Sequence, residues 1–266
     1  MSSKRFIAIT PGEGDDVFEF EVLDRHCVGP EGREFLFGGV SMGVGVSALE
    51  TACGRNLAYA SAQYVGPAHP GETVTLAVNK LREGSGITVA ELVASTDRGT
   101  VCRISAALGS GREDGEAQWR PAPAVPDPEE LEVSQHWRMR SGLHSNMEMR
   151  MAHGRFGEDR IGNPTADGRM VFWIRPRGFA IDKSYLATIA DFVPAGIGNA
   201  LGRHSGGRSL DNTFRCVRFV ETDWALVEVA IHAIHDGLVF GNVGIFAQDG
   251  TLMATGSQTL VLVHHT

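Results

Sequence analysis

The stretch YLATIADFVP, Tyr185 to Pro194, sets a single carboxylate, Asp191, inside a largely apolar run. An ionised carboxylate taken out of water is costly unless something pairs with it. An acid placed here therefore either stabilises a helix break or ion pair, or serves as a general base. Two other polar residues sit nearby in the pattern. Ser209 stands at the start of SLDNTFRCVRF, where the spacing has it begin the strand after the helix. Gln258 lies within TGSQTLVLV among apolar or small residues, and a glutamine in a closing, core-facing strand needs hydrogen-bond partners.

Other motifs point to chemistry less well. Gly39-Val40-Ser41-Met42-Gly43 matches the GxSxG of a nucleophile elbow. That motif needs alternating strands and helices around it, whereas the residues after this one read as continuous β. Ser41 is better taken as a helix cap or a small packing residue. Gly43-Val44-Gly45 starts a GxGxxG, but position 48 is alanine and no βαβ unit surrounds it. The four cysteines, Cys27, Cys53, Cys102 and Cys216, form no CxxC and read as reduced thiols. The ten histidines show no metal-ligand spacing: His232 and His235 flank a turn, and His264 and His265 end the chain.

The elements that must carry Asp191, Ser209 and Gln258 follow from periodicity. Phe18, Phe20 and Val22 alternate with Glu19 and Glu21, a strand with one wet face. Val40, Val44, Ala48, Leu49, Ala52 and Cys53 recur at helical spacing in FGGVSMGVGVSALETACGRNLA, whose glycines suit a close approach to another element or a ligand. TVTLAVNKL, ITVAELVAS and TVCRISAALG are strands separated by EGSG and TDRG. Residues 111–140 form a proline-rich, acidic linker with little to bury. Beyond it, Met147, Met149 and Met151 alternate with Glu148 and Arg150, and GRMVFWIRP gives a further strand. A largely apolar helix runs between Ile181 and Gly202, capped by Asp182 and broken or restarted at Pro194. WALVEVAIHAI, VFGNVGIFA and TLMATGSQTLVLV follow, with turns at HDG and QDG.

The second half thus repeats the first. Matching Gly99-Thr100 to Gly250-Thr251 gives an offset of 250 − 99 = 151. Each half reads β-α-ββββ, an antiparallel sheet wrapped around a central helix, and the α+β class follows. Twice in one chain this is a double hotdog: residues 1–110, the linker 111–140, and residues 141–266. Subtracting the offset from 191 reaches Gly38, Gly39 or Val40, from 209 Asn56, Leu57 or Ala58, and from 258 Ser105, Ala106 or Ala107. No carboxylate stands at the helix position of the first half, which assigns Asp191 a function held by the second half alone.

The chain has 266 residues, 42% of them hydrophobic, enough for a sizeable core. A formal net charge of -8 without a Lys/Arg block disfavours nucleic-acid binding. No apolar run is long enough to span a bilayer and no signal-like segment opens the sequence, so a cytoplasmic protein is expected.

On these segments the chain resembles the bacterial acyl-CoA thioesterase II family of double-hotdog enzymes. LFGGVSMGVGVSALETA and YVGPAHPGETVTLAVNKLREG are similar to its glycine-led helix and its Pro-Gly strand and hairpin. YLATIADF, SLDNTFRCVRF and DGTLMATGSQTLVLV are similar to the three segments that hold its catalytic residues. The resemblance implies a catalytic set of Asp191, Ser209 and Gln258 and hydrolysis of acyl-CoA to free acid and CoA, with CoA part of the substrate and no separate cofactor or metal. The three side chains would hold one water, with backbone N–H groups at Gly38-Gly39 receiving the oxyanion. Arg203 and Arg208 would meet the CoA phosphates. Asn212, Arg215 and Val217 depart from the family, which has histidine, an aromatic residue and a second histidine there, and these differences bear on acyl specificity. The rival enzyme is a hotdog enoyl-CoA hydratase or dehydratase, which would pair an aspartate with a histidine. The rival without turnover is an acyl-CoA-binding module. Exposed sheet edges and faces point to a homodimer or higher homo-oligomer.

Overall fold

The computed structural model describes residues 4–111, 115–134, 141–155 and 157–264. Residues 112–114 and 135–140 of the expected linker, and His265, lie outside them. The first half contains β1 (Thr10–Pro11), β2 (Val17–Glu21), β3 (Cys27–Val28), β4 (Phe35–Leu36), α1 (Gly38–Cys53), β5 (Leu57–Tyr64), β6 (Thr73–Glu83), β7 (Ile87–Thr96) and β8 (Gly99–Gly109). The second contains α2 (Gly142–Ser145), β9 (Met147–His153), β10 (Arg169–Pro176), α3 (Lys183–Ile189), α4 (Val193–Leu201), β11 (Ser205–Ser209), β12 (Asp211–Cys216), β13 (Ala225–His235), β14 (Leu238–Ala247) and β15 (Leu252–His264).

One sheet unites the halves in the order β1-β2-β6-β7-β8-β5-β12-β15-β14-β13-β10-β9, with β11 also pairing β15 and every pairing antiparallel. The short β3 and β4 pair separately. The seam is β5 against β12. There Thr213 stands opposite Ser61, their hydroxyls 3.1 Å apart. Since 213 − 61 = 152, equivalent positions of the two repeats face each other, and the approximate two-fold axis of the chain passes between them. This is the double hotdog expected from the repeat.

The helices α1 and α3 lie inside the wrap, and the glycines of α1 explain how closely they approach. A Cβ at Gly39 would collide with the Thr188 carbonyl, and one at Gly43 with the Ser184 carbonyl. These two positions, one helical turn apart, let the α1 backbone lie against α3. The apparent elbow dissolves here: Phe37 is the N-cap, and Ser41 is a buried residue within the helix. The first strands behave as their alternation predicts, with Phe20 and Val22 buried.

The second half departs from expectation at its outer face. Glu148 and Arg150, which alternate with Met147, Met149 and Met151, are themselves buried. Residues of the proline-rich segment cover them: the Pro128 carbonyl accepts from Arg150 Nη1 at 2.7 Å, and the Pro126 carbonyl from Trp173 Nε1 at 3.0 Å. Ala122, Val125 and Leu131 pack on Val171, Trp173, Trp224, Leu226 and Phe246. The middle of β10, Met170 to Ile174, is apolar throughout because it is covered on both faces. The segment therefore buries more than its composition suggested. All four cysteines are free thiols.

Candidate active site

The carboxylate of Asp191 is presented by a deliberate break in a helix. Asp182 caps α3, its Oδ1 accepting from the Tyr185 N–H at 2.8 Å and from Ser184 Oγ at 2.6 Å. The helix ends at Ile189, and Ala190–Phe192 form a tight turn in which Asp191 has φ −89° and ψ 24°. Pro194 lies in the first turn of α4, where its missing N–H costs nothing, so it restarts the helix rather than kinking it. The turn leaves Asp191 only 2% exposed.

Two side chains from distant strands converge on one oxygen of this carboxylate. Gln258 faces inward from β15, opposite Gly241 of β14, and its Nε2 donates to Asp191 Oδ1. Ser209 Oγ lies 3.5 Å from the same oxygen and accepts from Gln258 Nε2 at 3.3 Å. Ser209 proves to be the last residue of the short β11, with β12 beginning two residues later, so it does not open the following strand as its position in the sequence suggested. Asp191 Oδ2 is reached by neither side chain and faces Gly38 at the start of α1, where a Cβ would stand 2.7 Å from it.

Burial pushes the Asp191 carboxyl up to about 7, against the pull of Gln258, the Gly39 N–H and Ser209 toward the ionised form. Gln258 thus moderates the shift without holding the group at an ordinary carboxylate value. A carboxylate poised near neutrality is a competent general base. The two glycines divide their work: the Gly39 N–H supports the carboxylate, and the Gly38 N–H donates to no acceptor among the described residues.

Two further polar residues belong to the same interior. Asn212 is completely buried. The register Thr213 with Ser257 sets Asn212 beside Gln258, and Asn212 also stands opposite Ala62. Tyr64, at the end of β5, is half-buried, and its hydroxyl lies buried near Asn212 and Asp191. The Asn212 amide and the Asp191 charge both act on that hydroxyl, which burial holds well above the usual phenol range. The sequence marked Asn212 only as a departure from a family pattern. Tyr64 was missed, and the alternation of Ala60, Ala62 and Tyr64 along β5 was the signal that could have found it.

Arg203 and Arg208 do not join this group. Both are exposed, and along β11 Arg208 points away from the face on which Gly207 meets Ile197 and Leu260. Among the described residues no cluster of histidine, cysteine, aspartate or glutamate is arranged to hold a metal ion, and no helix is long and apolar enough to cross a membrane.

Comparison with known proteins places these side chains in context. A family model of the acyl-CoA thioesterase N-terminal domain matches residues 29–109, and one of the acyl-CoA thioesterase C-terminal domain matches residues 116–262. A solved structure of a candidate thioesterase from Novosphingobium aromaticivorans is 29% identical, with a TM-score of 0.85 over 96% of this chain and 98% of that one. An acyl-CoA thioesterase II from Mycobacterium marinum is 16% identical with a TM-score of 0.72, covering 97% of each chain. A hotdog-fold protein from Alicyclobacillus acidocaldarius is also 16% identical, with a TM-score of 0.81 and the same coverage, and likenesses at such identity speak for the fold alone. No curated protein matches the sequence.

Proposed function

The chain belongs to the acyl-CoA thioesterase family, and from that premise we propose that it hydrolyses an acyl-CoA thioester to the free acid and CoA at the Asp191, Ser209 and Gln258 cluster. The observation that carries the proposal is the buried Asp191 carboxylate, raised to about 7, with both side-chain donors on Oδ1 and Oδ2 left facing the interior. A water on Oδ2 gives up a proton to Asp191 as its oxygen attacks the thioester carbonyl. The C–S bond then breaks, and the proton passes from Asp191 to the departing CoA sulfur. Ser209 and Gln258 fix the carboxylate and, through the Gln258 Oε1 that has no other partner among the described residues, orient the water. The Gly38 N–H at the N-terminal end of α1 is the donor for the oxyanion. No acyl-enzyme forms, and the step needs only water and substrate.

The aspartate–histidine chemistry of a hydratase finds less support. His144 packs edge-on against Phe192 with 6.0 Å between ring centroids, yet the groups acting on Asp191 are Gln258, the Gly39 N–H and Ser209. Arg203 and Arg208 remain our proposed contacts for the CoA phosphates, and replacing both should raise KM while leaving kcat in place.

The deciding experiment follows CoA release with a thiol reagent. Wild-type protein should turn over acyl-CoA, and folded Asp191→Asn should do so about 10²–10⁴-fold more slowly, the usual worth of a general base. Equal rates would remove Asp191 from the mechanism. Tight acyl-CoA binding by the wild type with no CoA release would identify a binding module instead, and hydration of an enoyl-CoA a hydratase.

A further inference from the structure

Hydrolysis as derived above needs the Gly38 N–H and Asp191 Oδ2 at a fixed spacing, yet the two residues are 191 − 38 = 153 positions apart in the chain. Packing sets that spacing. Asp191 follows α3 and Gly38 opens α1, and one buried segment that the chemistry does not use touches the supports of both. Phe6 is fully buried and Ile7 nearly so. The Phe6 ring stands edge-on to Tyr185 of α3 with 6.0 Å between centroids, to Phe179 at 5.4 Å and to His26 at 5.6 Å. The Lys4 carbonyl accepts from the Ala180 N–H at 3.3 Å, just ahead of the Asp182 cap. Ile7 Cδ1 and Thr188 Oγ1 each lie 2.7 Å from where a Cβ of Gly43 would stand, at the crossing of α1 and α3.

His26 ties the same segment to the other helix. The Leu23 N–H donates to its Nδ1 at 3.2 Å, so the neutral ring carries its proton on Nε2, which faces the Phe6 carbonyl 3.4 Å away. Burial, and after it the Arg25 charge, lowers this imidazole to about 4 and keeps it in that form. The His26 carbonyl accepts at 3.0 Å from the N–H of Phe37, the N-cap of α1. Phe6 therefore bears on Tyr185 on one side and, through His26, on the residue before Gly38 on the other. The second repeat has no such arrangement. Adding 152 to 6, 7 and 26 gives Glu158, Asp159 and Gly178, all exposed.

We propose that Phe6 is a positioning residue for the reaction, a wedge between His26 and Tyr185 that sets the distance from the Gly38 N–H to the Asp191 carboxylate. This rests on the reading of the site as a thioesterase. Edge-to-face contacts hold the ring against three neighbours in one orientation. Cutting it back leaves a space toward which Tyr185 and α3 relax, and a misplacement of about 1 Å at the reacting groups costs about 100-fold. The same relaxation lets water reach Asp191. Desolvation outweighs Gln258, the Gly39 N–H and Ser209 in acting on that carboxyl, and Tyr64 is the titratable side chain coupled to it, so the net change is toward the ordinary carboxylate range.

The test measures kcat, KM and the pH profile of acyl-CoA hydrolysis in Phe6→Leu and Phe6→Ala. Trp173→Ala, which removes a buried ring from the outer face of β10, is the control for lost stability. Relative to wild type, kcat should fall about threefold in Phe6→Leu and about tenfold or more in Phe6→Ala, with KM within about twofold. The ionisation limb should move to lower pH in both, and Trp173→Ala should keep kcat and the limb. If Phe6→Ala does not fold, Phe6→Leu decides alone. Wild-type kcat with an unmoved limb in folded Phe6→Leu overturns the proposal, as does an equal loss of kcat in Trp173→Ala. If the wild type releases CoA from no acyl-CoA, the thioesterase reading fails on its own. Carbon-13 NMR titration of the Asp191 carboxyl, assigned with Asp191→Asn, then judges the wedge, and one midpoint shared by wild type and Phe6→Leu would refute it.

Discussion

The backbone of Gly38 and the carboxylate of Asp191 meet so closely that a methyl group on Gly38 would stand 2.7 Å from Asp191 Oδ2 and 3.0 Å from Tyr64 Cζ. Gly38 and Asp191 come from different halves of the chain. With the offset of 152, Asp191 corresponds to Gly39, so the first repeat gives up a side chain where the second places its acid. The contact makes Gly38→Ala a sharp test. Alanine favours a helix more than glycine, and Gly38 has an ordinary helical backbone, so folding should be preserved. The methyl group nonetheless takes the space at Oδ2 assigned to water. Acyl-CoA hydrolysis should fall about 100-fold, the cost of a misplacement on the order of 1 Å. Wild-type turnover in a folded Gly38→Ala protein would move the attacking water elsewhere.

The raised Asp191 carboxyl also has a price in stability. Burial lifts it from 3.8 to about 7 in the folded protein, so between these values the folded state holds a proton that the unfolded state has released. Stability due to this group therefore falls as pH rises from about 4 to about 7 and stays reduced above. Asp191→Asn removes the penalty. At pH 8 it should raise stability, by at most about 4 kcal/mol at 1.36 kcal/mol per pH unit, and the gain should vanish near pH 4. Denaturant melts of both proteins at the two pH values check this, and a variant less stable than wild type at pH 8 would mean that the carboxylate is better solvated than its burial indicates.

Activity should follow the same titration in the opposite sense. The base must be ionised, so kcat/KM should climb through a limb centred near pH 7 and level off above it. Gln258→Glu puts a second carboxylate against Asp191 Oδ1, where Gln258 Nε2 now donates. Like charges this close disfavour joint ionisation. The limb should move to higher pH by a unit or more, with residual activity recovered in alkaline buffer. A limb that stays in place would show that the observed ionisation belongs to another group.

The chain spelled out its strands, its repeat and its odd carboxylate plainly, because period-two alternation and the cost of a buried acid are local facts. Asp182 and Pro194 likewise announced where the helix starts and where it restarts. What stayed hidden depended on contacts between distant segments. Glu148 and Arg150 alternate with methionines, and nothing in their own strand reveals that Pro128 and its neighbours lie over them. The glycines of α1 pointed to some close approach, but only packing shows that Gly39 and Gly43 meet the carbonyls of α3. Tyr64 and Asn212 lie inside segments that the sequence does mark, but their place beside Asp191 depends on the pairing of β5 with β12 and shows only in the packing.

The covering segment supplies the last prediction. Trp173 is 6% exposed on the outer face of β10, bonded to the Pro126 carbonyl and packed with Trp224, Leu226 and Phe246. Trp119, on the same segment, is 89% exposed. Truncating a buried tryptophan removes both its transfer free energy and its packing, so Trp173→Ala should cost about 3–5 kcal/mol, whereas Trp119→Ala should cost almost nothing. Neighbouring residues of a strand face opposite ways, and Phe172 and Ile174 are the ones that look inward toward the helices. Trp173 thus lies on the far side of the sheet from Asp191, and folded Trp173→Ala assayed well below its melting temperature should keep kcat within about twofold of wild type, as expected of a change that shares no partner with the site. Equal stability of the two variants would show that the proline-rich segment contributes nothing to holding the second half together.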